Sequence, residues 1–154
     1  MNPEFGFVGR GSGKPYFYEK NKVSPPIKIT NHKRKETTMD CIFCKIVAGE
    51  IPCSKVYEDE KILAFKDINP QAPIHVIFIP KQHILTCADD INDANKEIFG
   101  DIFAAISKVA KELGLADGYR IINNCGKHGA QSVKHIHFHL LGGAQLPEDM
   151  GVRE

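Results

Sequence analysis

No stretch of this sequence stays apolar for the roughly 20 residues that a membrane-spanning helix needs, so no membrane partner is expected. Neither sign of charge is in excess: 20 Lys and Arg stand against 19 Asp and Glu, a formal net charge of +1. A general nucleic-acid binder would carry a basic surplus, so nucleic acid is not expected as a partner. The N-terminus lacks the hydrophobic core of a secretory signal, which makes the cytoplasm the expected compartment. An even set of cysteines is lacking too. The five present, with no export signal, read as thiols or metal ligands rather than as a disulfide framework. What remains is a 154-residue chain, 42% apolar and 25% charged, of a size for one domain.

Residues 1–38 differ from the rest. They are rich in Gly, Pro, Lys and Asn and show no sustained apolar period. They read as a disordered extension outside the fold. Met39 is a plausible original start, and "PEF" resembles what a restriction-site junction encodes. Residues 1–38 are therefore expected to be vector plus translated leader, and 39–154 to be the domain.

From Met39 the pattern sharpens. "CIFCKIVAGE" (41–50) predicts a short helix ended by Gly49, and 55–60 and 62–67 predict two strands around a tight turn. "IHVIFIP" (74–80) is a β-branched run stopped by Pro80. From 93 to 113 the apolar residues recur at helical spacing, with Asn92 or Asp93 as the expected cap and Gly114 as the stop. Strands are predicted at 118–124 and 132–142. The expected fold class is α+β, with a five-stranded, mainly antiparallel sheet, one long helix and a short N-terminal helix.

"QSVKHIHFHLLGG" (131–143) places histidine at 135, 137 and 139. In a strand these three share one face, about 6.6 Å apart along the chain, while Ile136, Phe138 and Leu140 take the other. The apolar face is what packing on the long helix requires. The histidine face is not. It fits a solvated polar face, a metal site, or nucleophilic and acid–base catalysis near pH 7. The Gly-containing turn before it can form an anion-binding concavity, and Asp67 supplies a carboxylate suited to ribose hydroxyls. Together they suggest a nucleoside phosphate lying across a histidine row.

"GAQSVKHIHFHLLGG" resembles the signature of the histidine triad family, and its Gln-Ser-Val and Leu-Gly-Gly flanks are similar to the Hint branch of nucleotide-binding hydrolases. The likeness extends over "DCIFCKIVAGEIP", "VYEDEKILAFKDINPQAPIHVIFIPKQHI" and "ADGYRIINN", roughly Asp40 to Gly143. The resemblance implies a nucleotide hydrolase that cleaves purine nucleoside 5′-phosphoramidates and releases AMP or GMP. His137 would be the nucleophile that forms a nucleotidyl-histidine intermediate. His139 would contact the phosphate, and His135 and His75 would support the triad. Gln131, Ser132, the backbone N–H of Val133, Ala130 and Asn124 would line the phosphate side. Asp67 would bind ribose, and Ile42, Phe43, Phe65 and Ile68 would form the slot for the base. The alternatives are a dinucleoside polyphosphate hydrolase and a nucleotide-binding scaffold with incidental catalysis. Relatives are homodimers joined edge to edge into a ten-stranded sheet, and the same is expected here.

Two departures stand out. Ala130 occupies a position where many members have glycine. The tail after Gly143 lacks the tryptophan of animal members; the chain has no Trp at all, which bears on leaving-group preference. Cys41 and Cys44 form a CxxC pair, half of a four-ligand zinc site. In some relatives such a pair binds structural zinc with the histidine of a Pro-Lys-x-His block and the first triad histidine, here His83 and His135. Other members lack the cysteines, so zinc is not expected to be required for catalysis. Cys53, Cys87 and Cys125 are isolated in sequence and read as small, partly buried thiols.

Overall fold

The computed structural model describes residues 40–149. The extension expected at 1–38 lies outside them. The elements are α1 (Ile42–Val47), β1 (Lys55–Glu58), β2 (Ile62–Lys66), β3 (Ile74–Pro80), α2 (Glu97–Glu112), β4 (Tyr119–Ile122) and β5 (Phe138–Gly142), with a 3₁₀ turn at Ala88–Asp90. The five strands form one sheet in the order β1-β2-β3-β5-β4, every neighbouring pair antiparallel. This is the α+β architecture that the sequence predicts.

Strand alternation sorts the core onto the two faces of the sheet. Ile62, Ala64, Val76, Phe78, Phe138 and Leu140 join Ile102, Ile106 and Val109 of α2 in the larger apolar cluster. Their neighbours Leu63, Phe65, Ile77 and Ile79 join Phe43 and Ile46 of α1 in the smaller one. Because β2 and β3 are covered on both faces, they read as continuous apolar runs rather than as alternating ones. Each fully buried Ile or Phe contributes roughly 1.5–3 kcal/mol of transfer free energy.

Both helices stop by the same device. Gly49 and Gly114 take the left-handed conformation, at φ 78° and φ 70°. After α2, Gly114 N–H donates to Lys111 O at 3.1 Å and Leu115 N–H to Ala110 O at 2.9 Å. After α1, Gly49 donates to Ile46 O and Glu50 to Lys45 O. These are the paired bonds of a Schellman motif, which only a residue free of a Cβ enters without cost.

Three expectations need correction. α2 starts at Glu97 with Lys96 as its cap residue, not at Asn92 or Asp93. Asn92 instead closes a separate turn: its side-chain oxygen accepts from Ala94 N–H and its carbonyl from Lys96 N–H. The strand expected at 118–124 is shortened to 119–122. The strand expected at 132–142 begins only at Phe138. Upstream of Phe138 the backbone bonds elsewhere. Ile136 N–H donates to Leu85 O, and the His137 carbonyl accepts from the Asn123 side chain. The β3 ladder also ends at Pro80, which has no N–H to offer. His135 and His137 therefore precede the strand, and only His139 lies within it.

Candidate functional site

The histidines lie on the α1 face. His139 pairs with Ile77 across the sheet, and His75 stands two residues further along β3. That diagonal relation puts two side chains of one face in reach of each other. His75 Nε2 is 2.8 Å from His139 Nδ1. The apolar alternates behave as expected: Ile136 is 0% exposed, and the Phe138 ring meets Phe99 and Phe103 of α2 edge-on. The solvated reading of the histidine face fails, since His135 is 0% and His137 2% exposed.

Fixed backbone partners set the tautomer of each ring. His135 Nε2 lies 2.8 Å from Pro80 O, so Nε2 carries the proton and Nδ1 keeps its lone pair. His137 Nδ1 lies 2.7 Å from His135 O, so Nδ1 carries the proton and Nε2 keeps its lone pair. His75 Nδ1 accepts from Gln71 N–H at 3.1 Å, so the His75 proton is on Nε2, facing His139 Nδ1. His139 consequently carries its own proton on Nε2.

Burial keeps all four rings neutral. It lowers the pKa of His137 below the usual 6.5, against opposing help from the His135 carbonyl and Asp67. His135 and His139 are pushed down to about 4, chiefly by burial and then, for His139, by the neighbouring His137 and His75. Burial also lowers His75, although Asp67 Oδ2 stands 3.4 Å from its Nε2. A neutral imidazole with a bare Nε2 is a nucleophile, and one with Nε2–H is a donor to an anion.

The other expected residues gather unevenly. Asp67 Oδ1 accepts from Asn69 N–H at 2.8 Å, which leaves further lone pairs for an outside hydroxyl. Phe43 and Phe65 are buried against each other, and the Phe43 ring stands edge-on to His137 with centroids 5.2 Å apart. Ile42 and Ile68, by contrast, are exposed. Ser132 is exposed and Val133 half-buried. Ala130 is exposed and adopts φ 55°, the left-handed region where glycine is favoured.

Gln131 departs from the expected phosphate contact. Its amide nitrogen donates to Thr86 O at 2.7 Å and to Val133 O at 2.9 Å, while its amide oxygen accepts from Gly126 N–H at 3.0 Å. It holds the turn in place. Sequence reasoning named Asn124 and missed Asn123, whose Nδ2 donates to the His137 carbonyl at 2.8 Å. No sequence signal pointed to it, since the pairing of the preceding Ile122 with His139 appears only in the fold.

On the other side of His135 a second constellation closes. Ligand atoms of Cys41, Cys44, His83 and His135 all lie within 4.8 Å of one another. His135 Nδ1 is 3.5 Å from Cys41 Sγ and 3.6 Å from Cys44 Sγ, and His83 Nδ1 is 3.3 Å from Cys44 Sγ. Zn–S and Zn–N bonds of about 2.3 and 2.0 Å in a tetrahedron put S and N about 3.5 Å apart. Burial and the Cys41 thiol push the Cys44 thiol up to about 11. The His135 Nε2–H bond to Pro80 O is the outer-shell contact that a ligating imidazole makes. Asp67, His75 and His139 also cluster, but the one lone pair of neutral His75 is taken by Gln71 N–H.

A profile of the HIT domain matches residues 48–146. A "14 kDa zinc-binding protein" of Zea mays is 53% identical over 106 residues, spanning 68% of this chain and 83% of that protein. The purine nucleoside phosphoramidase of Escherichia coli (strain K12) is 44% identical over 108 residues, 70% of this chain and 90% of that one. The crystal structure of a histidine triad protein from Clostridium difficile superposes with a TM-score of 0.69 at 52% identity, covering 72% of this chain and 96% of that one.

Proposed function

The chain belongs to the HIT-domain family, and from that premise we propose that it is a purine nucleoside phosphoramidase working through His137. The observation that carries this reading is the 2.7 Å bond from His137 Nδ1–H to the His135 carbonyl, which leaves Nε2 as a neutral lone pair on a fixed ring. That lone pair attacks the α-phosphorus and forms a nitrogen–phosphorus bond. The bond from phosphorus to the amine breaks, and the amine leaves with a proton taken from solvent, which the hydrolytic step returns. Water then cleaves the nucleotidyl-histidine, releasing AMP or GMP and restoring the imidazole. His139 Nε2–H donates to a phosphate oxygen, and His75 and Gln71 N–H hold it in that tautomer. Asp67 takes the ribose hydroxyls, Ile42 and Ile68 flank the base, and Ser132 and the Val133 N–H meet the phosphate from the turn.

A structural zinc ion fits Cys41, Cys44, His83 and His135, whose donors are two thiolates and two neutral imidazoles at tetrahedral spacing. It would tie α1 and the segment after β3 to the triad. The protein acts as a homodimer joined at β4, because the other edge strand, β1, is bulged and flanked by Lys55 and Glu58. Sedimentation as a monomer at micromolar concentration would reject the dimer.

The similarity to the purine nucleoside phosphoramidase of E. coli supports the choice of phosphoramidates. Turnover of an adenosine phosphoramidate and of a diadenosine polyphosphate, compared side by side, tests it. The expected result is a clear preference for the phosphoramidate. Preference for the polyphosphate would replace this reading with the hydrolase alternative, and no turnover of either would leave a binding module.

A further inference from the structure

The three cysteines outside the CxxC pair are isolated in sequence, but two of them meet in space. Sγ of Cys87, Sγ of Cys125 and a carboxylate oxygen of Asp89 all lie within 4.8 Å of one another. Cys87 precedes the 3₁₀ turn at Ala88–Asp90, and Cys125 follows β4 in the turn leading to the triad. We propose that Cys87, Cys125 and Asp89 form a second metal site, for a thiophilic divalent cation such as Zn²⁺, distinct from the Cys41–Cys44–His83–His135 cluster.

The donor set points to a soft cation. Two thiolates select zinc-like ions over magnesium or calcium, and a carboxylate oxygen completes an S₂O face that tetrahedral zinc accepts. With three protein donors, the fourth position is left to water. Thiols and carboxylate are half-exposed to exposed, so an ion has an entry path. The loop is already shaped for the task. The Asp90 carboxylate accepts from Thr86 N–H at 3.0 Å and from Cys87 N–H at 3.3 Å, which fixes Cys87 and leaves Asp89 as the free acid.

The location gives the ion a consequence. Gln131 already joins the same two segments, through Thr86 O and Gly126 N–H. Cys87 adjoins Thr86, and Cys125 adjoins both Asn124 and Gly126. A cation there would add a second tie across the turn that presents Ser132 and Val133, and would make the turn's rigidity depend on metal supply.

Full-length protein, kept reduced with a non-coordinating phosphine and stripped of metal, can be titrated with ¹¹³Cd²⁺ and followed by NMR. Two resonances are expected at two equivalents. Cys87→Ser and Cys125→Ser should each remove the same resonance and leave the other in place. Asp89→Asn should weaken the second equivalent by about tenfold or more, since ligand charge sets cation affinity. Exchange of the Gly126 amide should slow when the second equivalent binds. The site is overturned if every resonance of the wild type survives both cysteine variants. These outcomes are scored by Cys87 and Cys125 alone, so they stand whether or not the first cluster holds zinc.

Discussion

His135 and His139 are the same side chain on the same short segment, four residues apart, yet their surroundings give them opposite uses. His135 gives its Nε2–H to the Pro80 carbonyl and turns Nδ1 toward two cysteine sulfurs. His139 accepts a hydrogen bond at Nδ1 from His75 Nε2–H and so carries its own proton on Nε2. One end of the triad sits among the donors of Cys41, Cys44 and His83, and the other is half-buried beside Asp67. His137 lies between, tied by its Nδ1 to the backbone of the first. Role follows from the atom that occupies the second ring nitrogen. A histidine row is three different reagents once each ring has a different fixed partner.

The sharpest way to break this comparison is to remove its middle. His137→Ala and His137→Asn should lower phosphoramidate turnover by about a thousandfold or more, the scale seen when a nucleophile is deleted. AMP should still bind within about tenfold, because one lost neutral hydrogen bond costs roughly 1 kcal/mol. Isothermal titration with AMP and single-turnover assays measure the two effects separately. Turnover near wild type in either variant would move the nucleophile elsewhere.

The His135 end is tested by its sulfurs. Cys41→Ser should release the proposed zinc and lower thermal stability, while activity measured at low temperature largely survives. An ion held a thousandfold above its dissociation constant contributes about 4 kcal/mol. For a domain of this size that corresponds to a melting shift of roughly 10 °C or more. Loss of activity in strict proportion to zinc removed, with the fold intact, would instead make the metal catalytic.

The His139 end is tested by pH. Free histidine titrates near 6.5, and folded His139 near 4. Between those values the unfolded chain binds the proton and the folded chain does not, so stability rises with pH. The contribution of His139 is complete above pH 6.5 and is lost as pH falls toward 4. Ring titration by NMR should place its midpoint well below 6.5, and His139→Asn should flatten the fall of the melting temperature across that window. A midpoint near 6.5 would mean that the ring is solvated and not clamped by His75.

Much of the scaffold was legible because simple periods govern it. β3 at 74–80 and the glycine stops of both helices lie where the sequence places them. The apolar alternates of the triad segment pack on α2 as alternation requires. What was not legible is where backbone and side chain trade partners. The predicted strand at 132–142 loses its first half because Leu85 and Asn123 take the bonds a ladder would have used. Nor does the sequence disclose that the Gln131 amide is engaged by Thr86, Val133 and Gly126. The bonds to Leu85 and Thr86 span 45 or more residues and the bond from Asn123 spans 14, separations that no local pattern records.

The smallest expected effect lies in the turn between β4 and the triad, at Ala130. Its φ of 55° puts a Cβ in the left-handed region, where an L-residue is disfavoured by roughly 1–2 kcal/mol. Glycine enters that region freely but costs more unfolded-state entropy, up to about 1 kcal/mol relative to alanine. The methyl of Ala130 is exposed, so deleting it forfeits little burial. Ala130→Gly should therefore stabilise the protein slightly, by about 0.5–1 kcal/mol, although glycine elsewhere usually weakens a fold. Neighbouring Gly129 sets the contrast. A Cβ there would lie 2.4 Å from Cys125 O, so Gly129→Ala should destabilise the same turn. Paired melting curves of the two variants decide the matter. Stabilisation by Gly129→Ala, or clear destabilisation by Ala130→Gly, would show that the turn does not hold this conformation in solution.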